Sequence, residues 1–305
     1  MSRVFRGTRL RVGTRGSALA LHQATLVRAA LERKFSALAV ETVIIRTSGD
    51  RIRGPLTEEG GKGLFVKEIE AALLRGRIDV AVHSLKDMPA ELPRGLAIAG
   101  ALRRADPRDA LVSRCGKPLR RLPASPRIGT GSPRRAALLK SLRPDAVILP
   151  LRGNVPTRIA RLSGPAKPGA LDAAVLACAG IERLGFGDRI AERFPVRSFV
   201  PAPGQGLVVM ECRNRDRAVR RMLRAVTHPA SWTEARAERA FLERIGGDCR
   251  LPLGGLARIR GRRITMRAFL EAADGSLARA ALAGDARFPE RLGRALEAGL
   301  RKAGR

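Results

Sequence analysis

Residues 129–140 read GTGSPRRAALLK, and the way this stretch turns a strand into a helix decides the fold class. A short strand pattern over 127–130 closes around Gly129. Ser132 is a favoured N-cap, Pro133 suits the first helical position, and apolar residues at 137–142 continue a helix. Two arginines, Arg134 and Arg135, stand in the first turn. The unpaired N–H groups of such a start favour an anion, and a guanidinium adds a planar fork matched to a carboxylate. The arrangement recurs. Arg15-Gly16-Ser17 opens a helix over 17–33. Arg152-Gly153-Asn154 precedes another, with Pro156 in its first turn and Arg158 just after.

Working outward, strand patterns at 9–14, 40–46, 79–83, 146–151 and 173–178 alternate with helical apolar spacing at 17–33, 63–75 and 157–162. Such alternation predicts α/β domains with mostly parallel sheets, whose ligands bind beyond the carboxyl ends of the strands. Several arginines along one such edge suit a ligand with several carboxylates or phosphates. Seams are expected near 102–108 (LRRADPR) and at the proline- and glycine-rich 199–206 (FVPAPGQG), which could serve as a hinge. After His228 the pattern changes to a helix at 231–244, strands at 256–259 and 263–270, and a terminal helix from about Pro289, a small α+β domain.

Bulk composition narrows the function. The 305 residues are 45% apolar, enough for real cores, and two or three domains are expected. The chain lacks an apolar run of membrane-spanning length and a signal-peptide core near its start, so a cytoplasmic location is expected. Four cysteines (Cys115, Cys178, Cys212 and Cys249) lie far apart without a CxxC pair, and the three histidines are scattered, so no metal site is expected. Lysine plus arginine exceed the acids by 59 to 28, a net charge of +31. Arginine dominates, with only eight lysines, as a GC-rich genome would favour; that bias leaves the shortage of acids unexplained. At 3% aromatics the chain is poor in stacking platforms for single strands, and its basic residues are spread throughout, so no specific nucleic-acid partner is expected. A polyanionic small substrate is the simpler reading.

Two further stretches carry chemistry. HSLKDMP, 83–89, ends a buried strand and delivers His83, Ser84, Lys86 and Asp87 to the same kind of edge. An ionised aspartate there can steady a developing cation or exchange protons with a leaving amine; as a surface ion pair with the lysine it would do little. GGDCRLPLGG, 246–255, sets Cys249 in a glycine-rich turn beside Arg250. Its thiol is either a nucleophile, because the thiolate is the reactive form, or an inert turn residue.

In order along the chain, GTRGSALALHQA, GGKGLFVKEIE, VHSLKDMP, ADPRDALVS, GTGSPRRAALL, LRGNVPTR and GGDCRLPLGG resemble the motifs of the porphobilinogen deaminase (hydroxymethylbilane synthase) family, over nearly the whole chain. The resemblance implies two domains like type II periplasmic binding proteins and a small α+β domain carrying the cofactor cysteine. The expected boundaries are 1–102 plus 201–224, 103–200, and 225–305. It implies a transferase that joins four porphobilinogens head to tail, releases ammonia at each step, and yields the linear tetrapyrrole hydroxymethylbilane. A dipyrromethane cofactor, bound by a thioether to Cys249, would prime the chain. Asp87 matches the family's catalytic carboxylate. Arg15, Arg134, Arg135, Arg152, Arg158 and Arg183 match positions that bind substrate carboxylates or support elongation. Ser17, Ser84, Lys86, Thr130 and Ser132 match surrounding polar contacts, and Lys62 matches the lysine of a loop beside the active site. A monomer is expected, with its product passing to uroporphyrinogen-III synthase.

Three positions depart from the family pattern. Glu58 stands where members often carry a lysine, Pro156 stiffens a helix start, and Asp248 adjoins the cysteine. Two other functions compete: a module in which two lobes close on a carboxylate ligand without turnover, and charge-driven nucleic-acid binding.

Overall fold

The computed structural model describes residues 9–48, 66–163, 169–246 and 251–303. Glu58, Lys62, Asp248 and Cys249 lie outside the described residues. In chain order the principal elements are β1 (Arg9–Thr14), α1 (Ala18–Lys34), β2 (Ala39–Ile44), α2 (Lys67–Leu74), β3 (Val80–Ser84) and β4 (Leu96–Ala101). Then come β5 (Asp109–Ser113), β6 (Arg127–Gly129), α3 (Pro133–Leu142), β7 (Val147–Leu149), α4 (Val155–Ala160), β8 (Ala173–Ala177), α5 (Cys178–Arg183) and β9 (Glu192–Arg193). The chain closes with β10 (Val208–Arg213), α6 (Arg217–Ala225), α7 (Pro229–Ile245), β11 (Leu253–Arg260), β12 (Arg263–Glu271), β13 (Leu277–Asp285) and α8 (Pro289–Ala303).

Two compact units result: Met1–Arg104 with Leu207–Ala235, and Ala105–Gly206 with Arg236–Arg305. The first unit holds a five-stranded sheet of order β2-β1-β3-β10-β4. Strands β1, β2 and β3 run parallel, and β10 runs antiparallel to both of its neighbours. One face of this sheet is apolar: Val80, Val82, Val208, Met210 and Cys212 pack with Ala24, Val27 and Leu31 of α1 and with Met222 and Leu223 of α6. That stripe of branched and straight-chain apolar residues is why α1 and α6 settle there.

The second unit repeats the plan, with order β7-β6-β8-β5-β9. Here β6, β7 and β8 are parallel and β5 is reversed. In each sheet four strands point one way and one points back, so the mostly parallel character expected from the sequence holds. The reversed strands β5 and β10, together with β4, carry no clear local signal and escape the sequence reading. This unit also includes the antiparallel sheet β11-β12-β13 and α8. Phe269 of β12 shares a core with Ile128, Leu138, Phe194 and Phe199. The fold class is the expected one: two α/β sheets and a small C-terminal sheet with a helix. Among the described residues, no helix is long and apolar enough to cross a membrane.

The three strand-to-helix junctions are built as their sequences indicate. The Ser17 side chain accepts from Ala20 N at 3.3 Å, Ser132 from Arg135 N at 3.4 Å, and Asn154 from Thr157 N at 2.8 Å. Each cap satisfies a helix-start N–H that would otherwise lack a partner.

Within the second unit, the stretch read as a hinge is buried and fastened. Gln205 donates to Pro107 O at 2.8 Å, and Gly204 N donates to Glu238 at 2.6 Å. Gly206 has φ +86°, and a Cβ there would lie 2.7 Å from Ala105 O. Both the left-handed backbone and this close approach require glycine. Gly206→Ala should therefore lower stability by about 1–3 kcal/mol, seen as a lower urea midpoint at unchanged slope.

Candidate active site

In the first unit the parallel strands β1 and β3 end on the same edge of the sheet. Beyond β1 lie Arg15, half-buried, and the capping residue Ser17. Beyond β3 the chain makes a single 3₁₀ turn, Leu85–Asp87. Leu85 and Met88 are buried in an apolar cluster with Leu207, Val209 and Ala235, and Leu85 N donates to Leu207 O at 3.1 Å. The turn is held by its apolar residues, which leaves Asp87 exposed and Lys86 half-buried. Ser84 Oγ accepts from Gln23 Nε2 of α1 at 2.8 Å. Thus the unit brings Arg15, Ser17, Ser84, Lys86 and Asp87 to one edge.

In the second unit the corresponding edge carries Thr130 and Ser132 beyond β6, Arg152 and Arg158 beyond β7, and Arg183 at the end of the helix beyond β8. Thr130 is buried, and its hydroxyl accepts from Ser132 N at 3.2 Å. Arg152 is exposed. Arg158 Nε donates to Gly153 O at 2.7 Å. Arg183 is partly buried and donates to Gly206 O at 2.9 Å; burial depresses the pKa of its guanidinium.

Arg134 and Arg135 differ from the sequence expectation of an open edge. They are only 4% and 6% exposed and turn inward onto Asp109, which is fully buried. Arg134 Nη1 lies 2.8 Å from Asp109 Oδ2 and donates to Val200 O, also at 2.8 Å. Arg135 contacts Asp109 Oδ1 through Nε at 2.9 Å and Nη2 at 2.8 Å, and donates to Val175 O at 3.1 Å. Gln205 Nε2 adds a bond to Asp109 Oδ1 at 3.1 Å. Asp109 arrives there because β5 is reversed: its first residue pairs with Ala177, the last of β8. Burial alone would raise the Asp109 carboxyl; Arg134 and then Arg135 more than offset it and hold the pKa at about 2, against 3.8 ordinarily.

Among the described residues, two guanidiniums meet one carboxylate, a surplus of one buried positive charge. Arg134 Nε also finds no acceptor among the described residues. This surplus, with the exposed Arg152 and the capped start of α3, suits a ligand bearing several carboxylates.

Residues 10–221 match the family model of the porphobilinogen deaminase dipyrromethane cofactor binding domain, and residues 232–302 that of the porphobilinogen deaminase C-terminal domain. The chain belongs to the porphobilinogen deaminase family. A porphobilinogen deaminase of Syntrophus aciditrophicus is 47% identical over 85% of this chain and 83% of its own. One from Roseiflexus castenholzii is 46% identical over 97% and 96%. Among solved structures, a TRAP periplasmic solute binding protein from Desulfovibrio salexigens aligns over 72% of each chain at 11% identity, with a TM-score of 0.44.

Sequence reasoning missed Gln23, Asp109 and Gln205. Asp109 lies within the ADPRDALVS motif, but nothing local pairs it with arginines 25 and 26 residues away. Of the described cysteines, Cys178 and Cys212 are buried, and burial foremost raises their thiols to about 12 and about 11; Cys115 is exposed. The two buried thiols are therefore poor nucleophiles.

Replacing Asp109 by Asn strands two buried cations and should destabilise the protein by about 3–5 kcal/mol. In the wild type the carboxylate's contribution is complete above its ordinary value of 3.8 and is lost as pH falls through about 2. Urea unfolding of both proteins at pH 6 and at acid pH measures this: their midpoints should converge as the acid limit is approached.

Proposed function

We propose that this chain condenses four porphobilinogens into hydroxymethylbilane, with Asp87 as its catalytic carboxylate. The supporting observation is the placement of Asp87: exposed, at the carboxyl edge of a parallel sheet, on a turn anchored from beneath by Leu85 and Met88. In each cycle the substrate's aminomethyl C–N bond breaks and ammonia leaves with the electron pair. A C–C bond forms to the terminal pyrrole of the growing chain, whose α-hydrogen departs as a proton. An anion at Asp87 favours the positive charge that develops on the reacting pyrrole, and its oxygens can pass protons to and from the departing groups.

The acidic substrate accounts for the basic edge residues. Arg15, Arg152 and Arg158 are proposed to bind acetate and propionate groups, with Ser17, Ser84, Lys86, Thr130 and Ser132 supplying polar contacts. Arg134, Arg135 and Arg183 are proposed to support elongation. Because their side chains bond to Asp109, Val200, Val175 and Gly206, they would act chiefly through the surplus positive charge and by holding the edge in place. For Lys62 we propose the role that the family resemblance implies for the active-site-loop lysine.

A dipyrromethane cofactor, when bound, supplies the first two pyrroles on which the product is built. We propose that it is attached by a thioether at Cys249. We further propose the division into 1–102 with 201–224, 103–200 and 225–305, a cytoplasmic monomer, and release of the product to uroporphyrinogen-III synthase.

The experiment is the intact mass of wild-type protein beside Cys249→Ser and Cys115→Ser. The wild type and Cys115→Ser should be heavier by two linked pyrroles, and Cys249→Ser should have bare polypeptide mass. Bare mass in all three after incubation with porphobilinogen would favour binding without turnover. In parallel, Asp87→Asn should fold normally and lose at least a hundredfold in porphobilinogen consumption; full activity would refute the catalytic assignment.

A further inference from the structure

The face of the first unit's sheet that meets α2 carries a charged group of its own. His83 of β3 is 5% exposed, Glu211 of β10 is 0%, and Glu70 of α2 is 5%. His83 Nε2 lies 3.0 Å from Glu211 Oε2. In the β3–β10 register His83 pairs with Val209, so Glu211 is its diagonal neighbour across the strands. The Oε1 atoms of Glu70 and Glu211 are both buried without a hydrogen-bond partner among the described residues. Three buried ionisable side chains would be expensive in an otherwise apolar layer. They sit between the apolar cluster of Ile69, Leu73, Ile78 and Ala81 and that of Leu85, Met88 and Val209.

We propose that His83, Glu211 and Glu70 form a positioning unit for the Ser84–Asp87 turn, in which Glu70 holds a proton at neutral pH. His83 immediately precedes that turn. Its bond to Glu211 adds a side-chain link between β3 and β10 one residue before Ser84, and the pairing of the two segments runs on through Ser84–Val208 to Leu85 N–Leu207 O. Glu70, buried on α2, lies within electrostatic range of both Glu211 and His83. The inference rests on the reading of Asp87 as the catalytic carboxylate.

Charge balance supports the proton. Burial, and next the negative charge of Glu211, raise the Glu70 carboxyl to about 7, opposed by His83 and Lys67. Several other charged groups of the surrounding elements are engaged. On α2, Glu68 accepts from Ser48 N at 2.8 Å. Asp79, just before β3, and Arg213 of β10 pair with each other at 3.1 Å, and Asp79 also pairs with Arg11. On β2, Glu41 pairs with Arg9. β4 supplies no titratable side chain.

A carboxyl whose pKa is higher in the folded than in the unfolded protein makes stability fall as pH rises from the unfolded value to the folded one. Wild-type stability should thus decline between about pH 4.5 and about pH 7 through Glu70. Glu70→Gln, which keeps the shape of the protonated acid, should remove that decline, so its urea midpoint gains on the wild type between pH 5 and pH 8. Parallel midpoints across that range would overturn the proposed proton.

The positioning role is read from turnover of porphobilinogen by the holoenzyme. His83→Gln, which retains an N–H donor, should keep kcat within threefold of wild type. His83→Leu should lose at least thirtyfold in kcat with KM within threefold. Equal kcat in the leucine variant and the wild type, or no rescue by glutamine, would overturn it. Should the leucine variant not fold, the glutamine series still decides the proton. Asp87→Asn, run alongside, separates the two readings: an active Asp87→Asn refutes the catalytic assignment and leaves the Glu70 stability signature as an independent result.

Discussion

Each five-stranded sheet is completed by one strand that runs backwards, and the site residues depend on it. A reversed strand begins where its parallel neighbours end. The start of β5 therefore reaches the carboxyl edge of the second unit's sheet, and the start of β10 reaches that of the first. Asp109 consequently meets the first turn of α3, and Leu207 meets the turn that carries Asp87. Neither meeting follows from short-range preference. Both follow from strand direction, which fixes which end of a segment faces the ligand edge.

The second consequence is electrostatic. Buried ion pairs contribute little net stability, yet breaking one is costly. In the second unit a single carboxylate serves two guanidiniums, so the edge retains positive character without exposing those arginines. In the first unit one imidazole meets one carboxylate, His83 with Glu211, and the buried Glu70 lies near them. The two sheets follow the same plan, but they bury different sets of ionisable groups.

Much of this was legible in advance. The caps Ser17, Ser132 and Asn154 stand where serine and asparagine before an apolar helix said they would. β1 matches its expected span, and the carboxyl-edge placement of Asp87 follows from HSLKDMP. β4, β5 and β10 were not read as strands; their apolar runs are bounded or broken by Gly100, Asp109 and Glu211. The directions of Arg134 and Arg135 were also hidden. Their place at a helix start is local information, whereas the partner that turns them inward comes from another strand. His83 and Glu211 lie 128 residues apart and meet only through register. The excess of arginine over what the site uses has no structural explanation.

The C-terminal sheet ends in β13, a nine-residue strand that pairs with β12 on one side and with no strand on the other among the described residues. Before Asp285 its only charged residue is Arg279, and Leu282 is exposed. Natural edge strands are usually guarded by lysine, proline or a bulge, because bare backbone groups invite another strand. Here the guard is global: at +31 every copy repels every other. Such protection is only as long-ranged as the ionic atmosphere permits, about 10 Å at 0.1 M salt. Colloidal behaviour should follow ionic strength, with self-association beginning at this edge once the repulsion is screened.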